Sequence, residues 1–200
     1  MSEKGVRTAC FQRTTTETEI DISLNMDGTG KYDIATGIPY FDHMLTQVAC
    51  HGFFDLEVRV RGDLQVDAHH TVEDVGIALG EVFREVLGDR KGVQRYGYAT
   101  LPLDEALAAV TVDISGRPFL VYRAELLRGR VGDLEMELLP EFFRAFAVHA
   151  GLTLHISLPY GDNLHHMSEA IFKAFGRALD QAASLDPRVV GVIPSTKGKL

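Results

Sequence analysis

The sequence predicts an α+β fold made by internal duplication. Each of its two similar halves has a mostly antiparallel sheet with helices on one face. Three observations predict it. His69-His70-Thr71-Val72-Glu73 coincides with His165-His166-Met167-Ser168-Glu169 when the chain is offset by 96 residues. At that offset Gly80 also falls on Gly176, and Ala78 on Ala174. Around both motifs the same order of strand-like and helix-like segments recurs.

In the first half, Ile20-Asp21-Ile22-Ser23-Leu24 alternates as a strand and Asp27-Gly28-Thr29-Gly30 reads as a turn. A helical stretch from Phe41 to Cys50 ends near Gly52, and Leu56 to Arg61 forms the next strand. The first His-His motif then opens an amphipathic helix, with Val75, Leu79, Val82 and Val86 at helical spacing and a stop at Gly88-Asp89. In the second half, Val110 to Ile114 is the strand and Ser115-Gly116-Arg117-Pro118 the turn. Glu141 to Ala150 is the helix, ending near Gly151, and Leu152 to Leu158 is the following strand. The second motif opens a helix bearing Ile171, Phe175, Ala178 and Ala182, with its end signalled by Asp186-Pro187. The polar stretch from Gly88 to Gly97 divides the repeats, giving halves 1–92 and 93–200.

The composition narrows the function. A hydrophobic fraction of 46% supplies a core and 24% charged residues suits a soluble domain. No apolar run reaches the roughly 20 residues of a membrane-spanning helix. Met1-Ser2-Glu3-Lys4-Gly5 has no apolar signal core, which favours the cytoplasm. A net charge of −8 argues against a general nucleic-acid binder but leaves room for an anionic small molecule at a local basic cluster. Cys10 and Cys50 lack thiolate-site spacing and are expected to be small buried residues.

The eight histidines point to metal. One His-His-x-x-Glu could be a surface or capping group, but two at equivalent places in a duplication read as ligands. On a helix, His69 and His70 both neighbour Glu73, yet they are about 100° apart. Each pair therefore suits two different metals, the glutamate joining one of them, and two copies suggest two metals with ligands from both copies. The donors His69, His70, Glu73, His165, His166 and Glu169 offer imidazole and carboxylate without sulfur, which suits manganese, iron or zinc. His43 lies 26 residues before His69, and Glu141 lies 24 before His165; both start the middle helix and are expected to be the remaining ligands. His155, on a strand, competes with Glu141 unless it is a hydrogen-bonded core histidine or one that hydrogen-bonds a ligand from behind. His149 has no counterpart and reads as structural. His51, eight residues after His43, shares its helical face and is expected to line the site. Lys173, one turn after Glu169, is a candidate cation on the metal-facing side of its helix.

Phe41-Asp42-His43-Met44-Leu45, both His-His-x-x-Glu motifs, Ser115-Gly116-Arg117-Pro118 and the tail Pro194-Ser195-Thr196-Lys197-Gly198 together resemble the imidazoleglycerol-phosphate dehydratase family, from about Arg7 to the C-terminus. The resemblance implies a hydro-lyase of histidine biosynthesis that converts D-erythro-imidazole-glycerol phosphate to imidazole-acetol phosphate and water. It implies two Mn²⁺ ions per active site and a 24-subunit assembly with sites between subunits. Many members carry histidine where this chain has Glu141, and a carboxylate is a competent manganese ligand.

The chemical difficulty is a proton on a carbon with no adjacent carbonyl. A metal-bound, electron-rich imidazole expels the side-chain hydroxyl and acidifies the neighbouring C–H. Glu17 matches the family's acidic residue and is assigned as the base. Glu19 is the alternative, since both would share one face of a strand. Arg95, Arg117, Ser195 and Lys197 match the family's phosphate-binding positions. Two further readings are a di-metal phosphate-ester hydrolase and a metal-storage or assembly module.

Overall fold

The computed structural model describes residues 6–200, so the N-terminal pentapeptide lies outside the described residues. The first half contains β1 (Thr8–Thr14), β2 (Thr18–Asn25), β3 (Tyr32–Ala35), α1 (Pro39–Gly52), β4 (Asp55–Gly62) and α2 (His69–Leu87). The second contains β5 (Tyr96–Leu103), β6 (Ala106–Asp113) and β7 (Phe119–Arg123), then a small hairpin of β8 (Arg130–Val131) and β9 (Leu134–Glu135). A 3₁₀ turn at Met136–Leu138 leads into α3 (Leu139–Ala150), β10 (Thr153–Tyr160) and α4 (Leu164–Ala183).

The sheets repeat one topology, β1-β2-β4-β3 and β5-β6-β10-β7. Two pairings in each are antiparallel, but β3 runs parallel to β4 and β7 parallel to β10. The helix crossover between each parallel pair (α1, and α3 after the hairpin) permits this. These third strands carry no clear alternation in sequence; β3 is four residues with no buried side chain. In β2 the alternation does its work: Ile20, Ile22 and Leu24 face the core, and Ala106, Ala108, Val110 and Val112 do so in β6.

Helix α2 packs on β1 and β2, and α4 on β5 and β6, while the helices also pair across the halves, α2 with α3 and α1 with α4. The duplicated glycines explain those crossings. A Cβ on Gly80 would come 2.8 Å from the Phe146 carbonyl oxygen, and one on Gly176 2.8 Å from that of Val48. Only glycine lets the backbones approach so closely. Val48 and Phe146 stand 98 positions apart, as do His43 and Glu141, so the two equivalent crossings make Glu141 of α3 the counterpart of His43 of α1. Aromatic edges seal the join: Phe41 meets Phe142 at 5.4 Å between centroids and Phe83 meets Phe146 at 5.5 Å. Fully burying each such ring stabilises the fold by about 1.5–3 kcal/mol.

One expectation and one alternative reading fail. Cys10 is exposed on the outer side of β1 and Cys50 is only partly buried. His155 is exposed on β10 between the buried Leu154 and Ile156, so it is not a core histidine. Its side chain leaves the sheet on the face away from the core.

Candidate metal centre and phosphate cleft

Both His-His pairs lie in the first turn of a helix. At α4 the Asn163 side chain caps the turn, accepting from the His165 amide at 2.8 Å. At α2 Asp67 accepts from the His69 amide at 2.8 Å. Contact between α1 and α4 then brings His43 to the second motif. Glu169 Oε2 lies 3.0 Å from His43 Nε2 and 2.9 Å from His165 Nε2, and all three donor atoms fall within 4.8 Å of one another. Imidazole nitrogen and carboxylate oxygen ligands sit about 2.0–2.2 Å from a divalent ion such as zinc. Neighbouring ligands at right angles are therefore about 3 Å apart, so this donor set fits a first-row divalent metal. The Tyr40 ring stands edge-on to His165, with its hydroxyl 2.7 Å from Ser168 Oγ.

Lys173 Nζ lies 2.6 Å from the other Glu169 oxygen. Burial opposes ionisation of Glu169, but Lys173, His43 and His165 outweigh it and hold the carboxyl at about 2. His51 lies near Lys173, Arg177 and Glu169, and burial followed by the two cations pushes its imidazole below the usual range.

At the first motif, His69 Nε2 is 3.7 Å from Glu73. Glu141 is turned to Arg144 one helical turn away. Only the first histidine of each pair faces its glutamate. The second is turned to a carboxylate from another element: His70 Nδ1 bonds Asp63 at 3.0 Å, and His166 Nδ1 bonds Glu105 at 2.7 Å. Those bonds raise both imidazoles above the usual range, and the His166 bond helps depress Glu105 to about 2. They also leave Nε2 as the outward-facing nitrogen. Among the described residues, no hydrogen bond, ion pair or ring contact joins the two motifs to each other.

Glu17 is not on a strand. It occupies the β1–β2 turn, where its amide and that of Thr18 both donate to Thr15 Oγ1. Its carboxylate stands 3.7 Å from His70 Nε2. Glu19, on β2, is 3.6 Å from Arg61 of β4, its cross-strand partner. The shared face expected for the two acids therefore does not exist, because the turn breaks the alternation between them.

The tail is folded back. Arg95, Arg117, Ser195 and Lys197 line one open cleft of about 700 Å³ with Tyr96, Pro194 and Thr196. Arg95 donates to the Pro194 carbonyl at 2.8 Å and to Asp113 at 2.7 Å, while Arg117 lies 3.8 Å from Asp113. The cleft shares no lining residue with the His43–His165–Glu169 cluster. His149 bonds Glu81 across the α2–α3 contact at 2.8 Å, as a structural histidine should.

Sequence reasoning missed Asp63, Glu105 and Asp113. Glu105 had a signal: the hairpin offset is 88, not 96, and at that offset it lies over Glu17. Asp63 and Asp113 had none.

The duplicated fold, with imidazole–carboxylate donors at its helix starts and a separate cationic cleft, defines a metal-dependent enzyme for a small phosphorylated substrate. Comparison with known proteins names it more closely. The family model of imidazoleglycerol-phosphate dehydratase matches residues 36–179. The dehydratase of Pelobacter propionicus is 57% identical over 97% of this chain and 99% of that protein. The one from Syntrophobacter fumaroxidans is 57% identical over 98% and 99%. Among solved structures, the Staphylococcus aureus dehydratase superimposes with a TM-score of 0.80 at 42% identity, covering 89% of this chain and 100% of that one. The Pyrococcus furiosus enzyme in complex with (S)-C348 gives 0.81 at 36% identity, covering 94% and 99%. The chain belongs to the imidazoleglycerol-phosphate dehydratase family, hydro-lyases of histidine biosynthesis.

Proposed function

We propose that this enzyme removes water from D-erythro-imidazole-glycerol phosphate to give imidazole-acetol phosphate, at centres that each hold two Mn²⁺ ions. The observation that carries the reading is the convergence of His43, His165 and Glu169 on one point. By the duplication, Glu141, His69 and Glu73 form the second ligand set, and His70 and His166 offer Nε2 to metals held with other subunits. Bound manganese supplies a Lewis acid that orients the substrate ring and favours its imidazolate form.

Glu17 takes the proton from the substrate carbon, supported by its place 3.7 Å from the ligand His70. Arg95, Arg117, Ser195 and Lys197 hold the phosphate, with Asp113 fixing the two guanidinium groups. Lys173 and His51 flank Glu169 and line the substrate side of the centre. The separation of the motifs within one chain supports sites shared between subunits of a large homo-oligomer, with 24 subunits as in the family reading. The repeat halves are 1–92 and 93–200. No helix among the described residues is long and apolar enough to cross a membrane, which accords with a cytoplasmic enzyme.

The test is turnover of imidazole-glycerol phosphate by metal-stripped protein with and without Mn²⁺, while light scattering follows particle size. Manganese-dependent product supports the dehydratase. Metal uptake without product rejects it.

A further inference from the structure

Asp74 is the one buried charged residue among the described residues, 6% exposed in the second turn of α2. One oxygen accepts from Arg13 Nη2 at 2.9 Å and the other from Thr18 Oγ1 at 2.5 Å. Arg13 is near the end of β1 and Thr18 begins β2, so the two donors straddle the turn that carries Glu17. Asp74 itself follows His70 by one helical turn. The knot therefore ties the Glu17 turn to the helix that carries the first motif.

The second half shows what the same place looks like without the knot. The hairpin offset of 88 lays Leu101 over Arg13 and Ala106 over Thr18, and the helix offset of 96 lays Ala170 over Asp74. Ala106 and Ala170 are core residues, and Leu101 packs against that core. Apolar side chains thus suffice to dock this hairpin on this helix. A buried ion pair is on average no more stabilising than an apolar replacement, and here the Arg13 Nε is buried without a partner. The charged version is found in the half whose hairpin acid makes no hydrogen bond through its carboxylate and stands 3.7 Å from His70 Nε2. In the other half, Glu105 is itself clamped to His166 and to the Asn163 amide at 2.8 Å.

We infer that Asp74, through Arg13 and Thr18, is a positioning residue that holds Glu17 at its catalytic distance from the centre. This role rests on Glu17 being the base. The test compares the Mn²⁺-loaded full-length enzyme with Arg13→Leu/Thr18→Ala/Asp74→Ala, which installs the second half's own solution, and with Glu17→Gln alone and combined with it. We expect the triple variant to keep thermal stability, metal content, particle size and KM within about twofold. Its kcat should fall about 10–100-fold, the scale of a small misplacement of a reacting group. In the Glu17→Gln background the same three changes should cost nothing further. Should the triple variant fail to assemble, Asp74→Asn is read by the same criteria. Full kcat in the triple variant beside an impaired Glu17→Gln overturns the positioning role alone. Full kcat in Glu17→Gln removes the base assignment and the positioning role with it.

Discussion

Glu17 and Glu105 occupy the same place in their two hairpins, yet they meet opposite nitrogens of their histidines. Glu17 stands 3.7 Å from His70 Nε2, while Glu105 bonds His166 Nδ1 at 2.7 Å. A carboxylate on Nδ1 fixes the ring and its tautomer and leaves Nε2 for a metal. Glu17, at ion-pair distance beside Nε2 and making no hydrogen bond through its carboxylate, has the arrangement expected of the proposed base. The duplicated turn thus places its acid on the ring-fixing nitrogen in one half and beside the outward-facing nitrogen in the other.

The two acids should therefore fail differently. Glu17→Gln is expected to lower kcat about 10²–10⁴-fold, the usual contribution of a general base, while Mn²⁺ content stays normal. Glu105→Gln should weaken Mn²⁺ binding about 10–100-fold, as loss of an outer partner usually does, and recover turnover at saturating metal. Metal titration paired with steady-state kinetics separates them, and metal loss in Glu17→Gln would contradict the assignment.

Glu141 and His155 are told apart by their faces. Glu141 takes the place of His43 at the helix crossing, whereas His155 is exposed on the far side of β10. Removing the Glu141 carboxylate with Glu141→Ala should lower bound manganese per chain by up to half. His155→Ala should leave it unchanged. Elemental analysis after gel filtration reads both, and the reverse pattern would make His155 the ligand.

Acid should strip the metal-free enzyme of one stabilising group at a definable pH. Glu169 is held at about 2 because Lys173 and the two histidines outweigh its burial. In the unfolded chain a glutamate titrates near 4.3. A depressed carboxyl contributes fully above its unfolded value and loses that contribution as pH falls toward the folded one. The Tm of metal-free protein should thus drop between about pH 4.5 and 2, and drop less in Glu169→Gln. Parallel curves would show that Glu169 contributes nothing there.

The folded-back tail should act on binding alone. Deleting residues 194–200 removes Ser195 and Lys197 from the cleft and leaves Arg95 without its Pro194 acceptor. KM is expected to rise by at least about tenfold, the loss of a charge-assisted phosphate contact or two, with metal content unchanged. Unaltered kinetics would refute the phosphate role.

The sequence by itself determined the duplication, the α+β order and the donor residue types. Alternation along β2 and β6, helical spacing after each motif and the paired histidines are local patterns, written within ten or twenty residues. It also carried Gly80 and Gly176, without saying what they permit. Tertiary structure decided which donors meet. His43 and Glu169 touch because two helices cross where a glycine removes the intervening Cβ, and nothing near either residue encodes that approach. The parallel strands β3 and β7, the turn that separates Glu17 from Glu19, and the partners Asp63, Glu105, Asp113 and Asp74 belong to the same class. Most depend on the register and contact of elements distant in the chain, where packing rather than local propensity sets the geometry; the Glu17 turn and the Asp63–His70 bond span only a few residues but rest on side-chain hydrogen bonds that no periodic pattern announces.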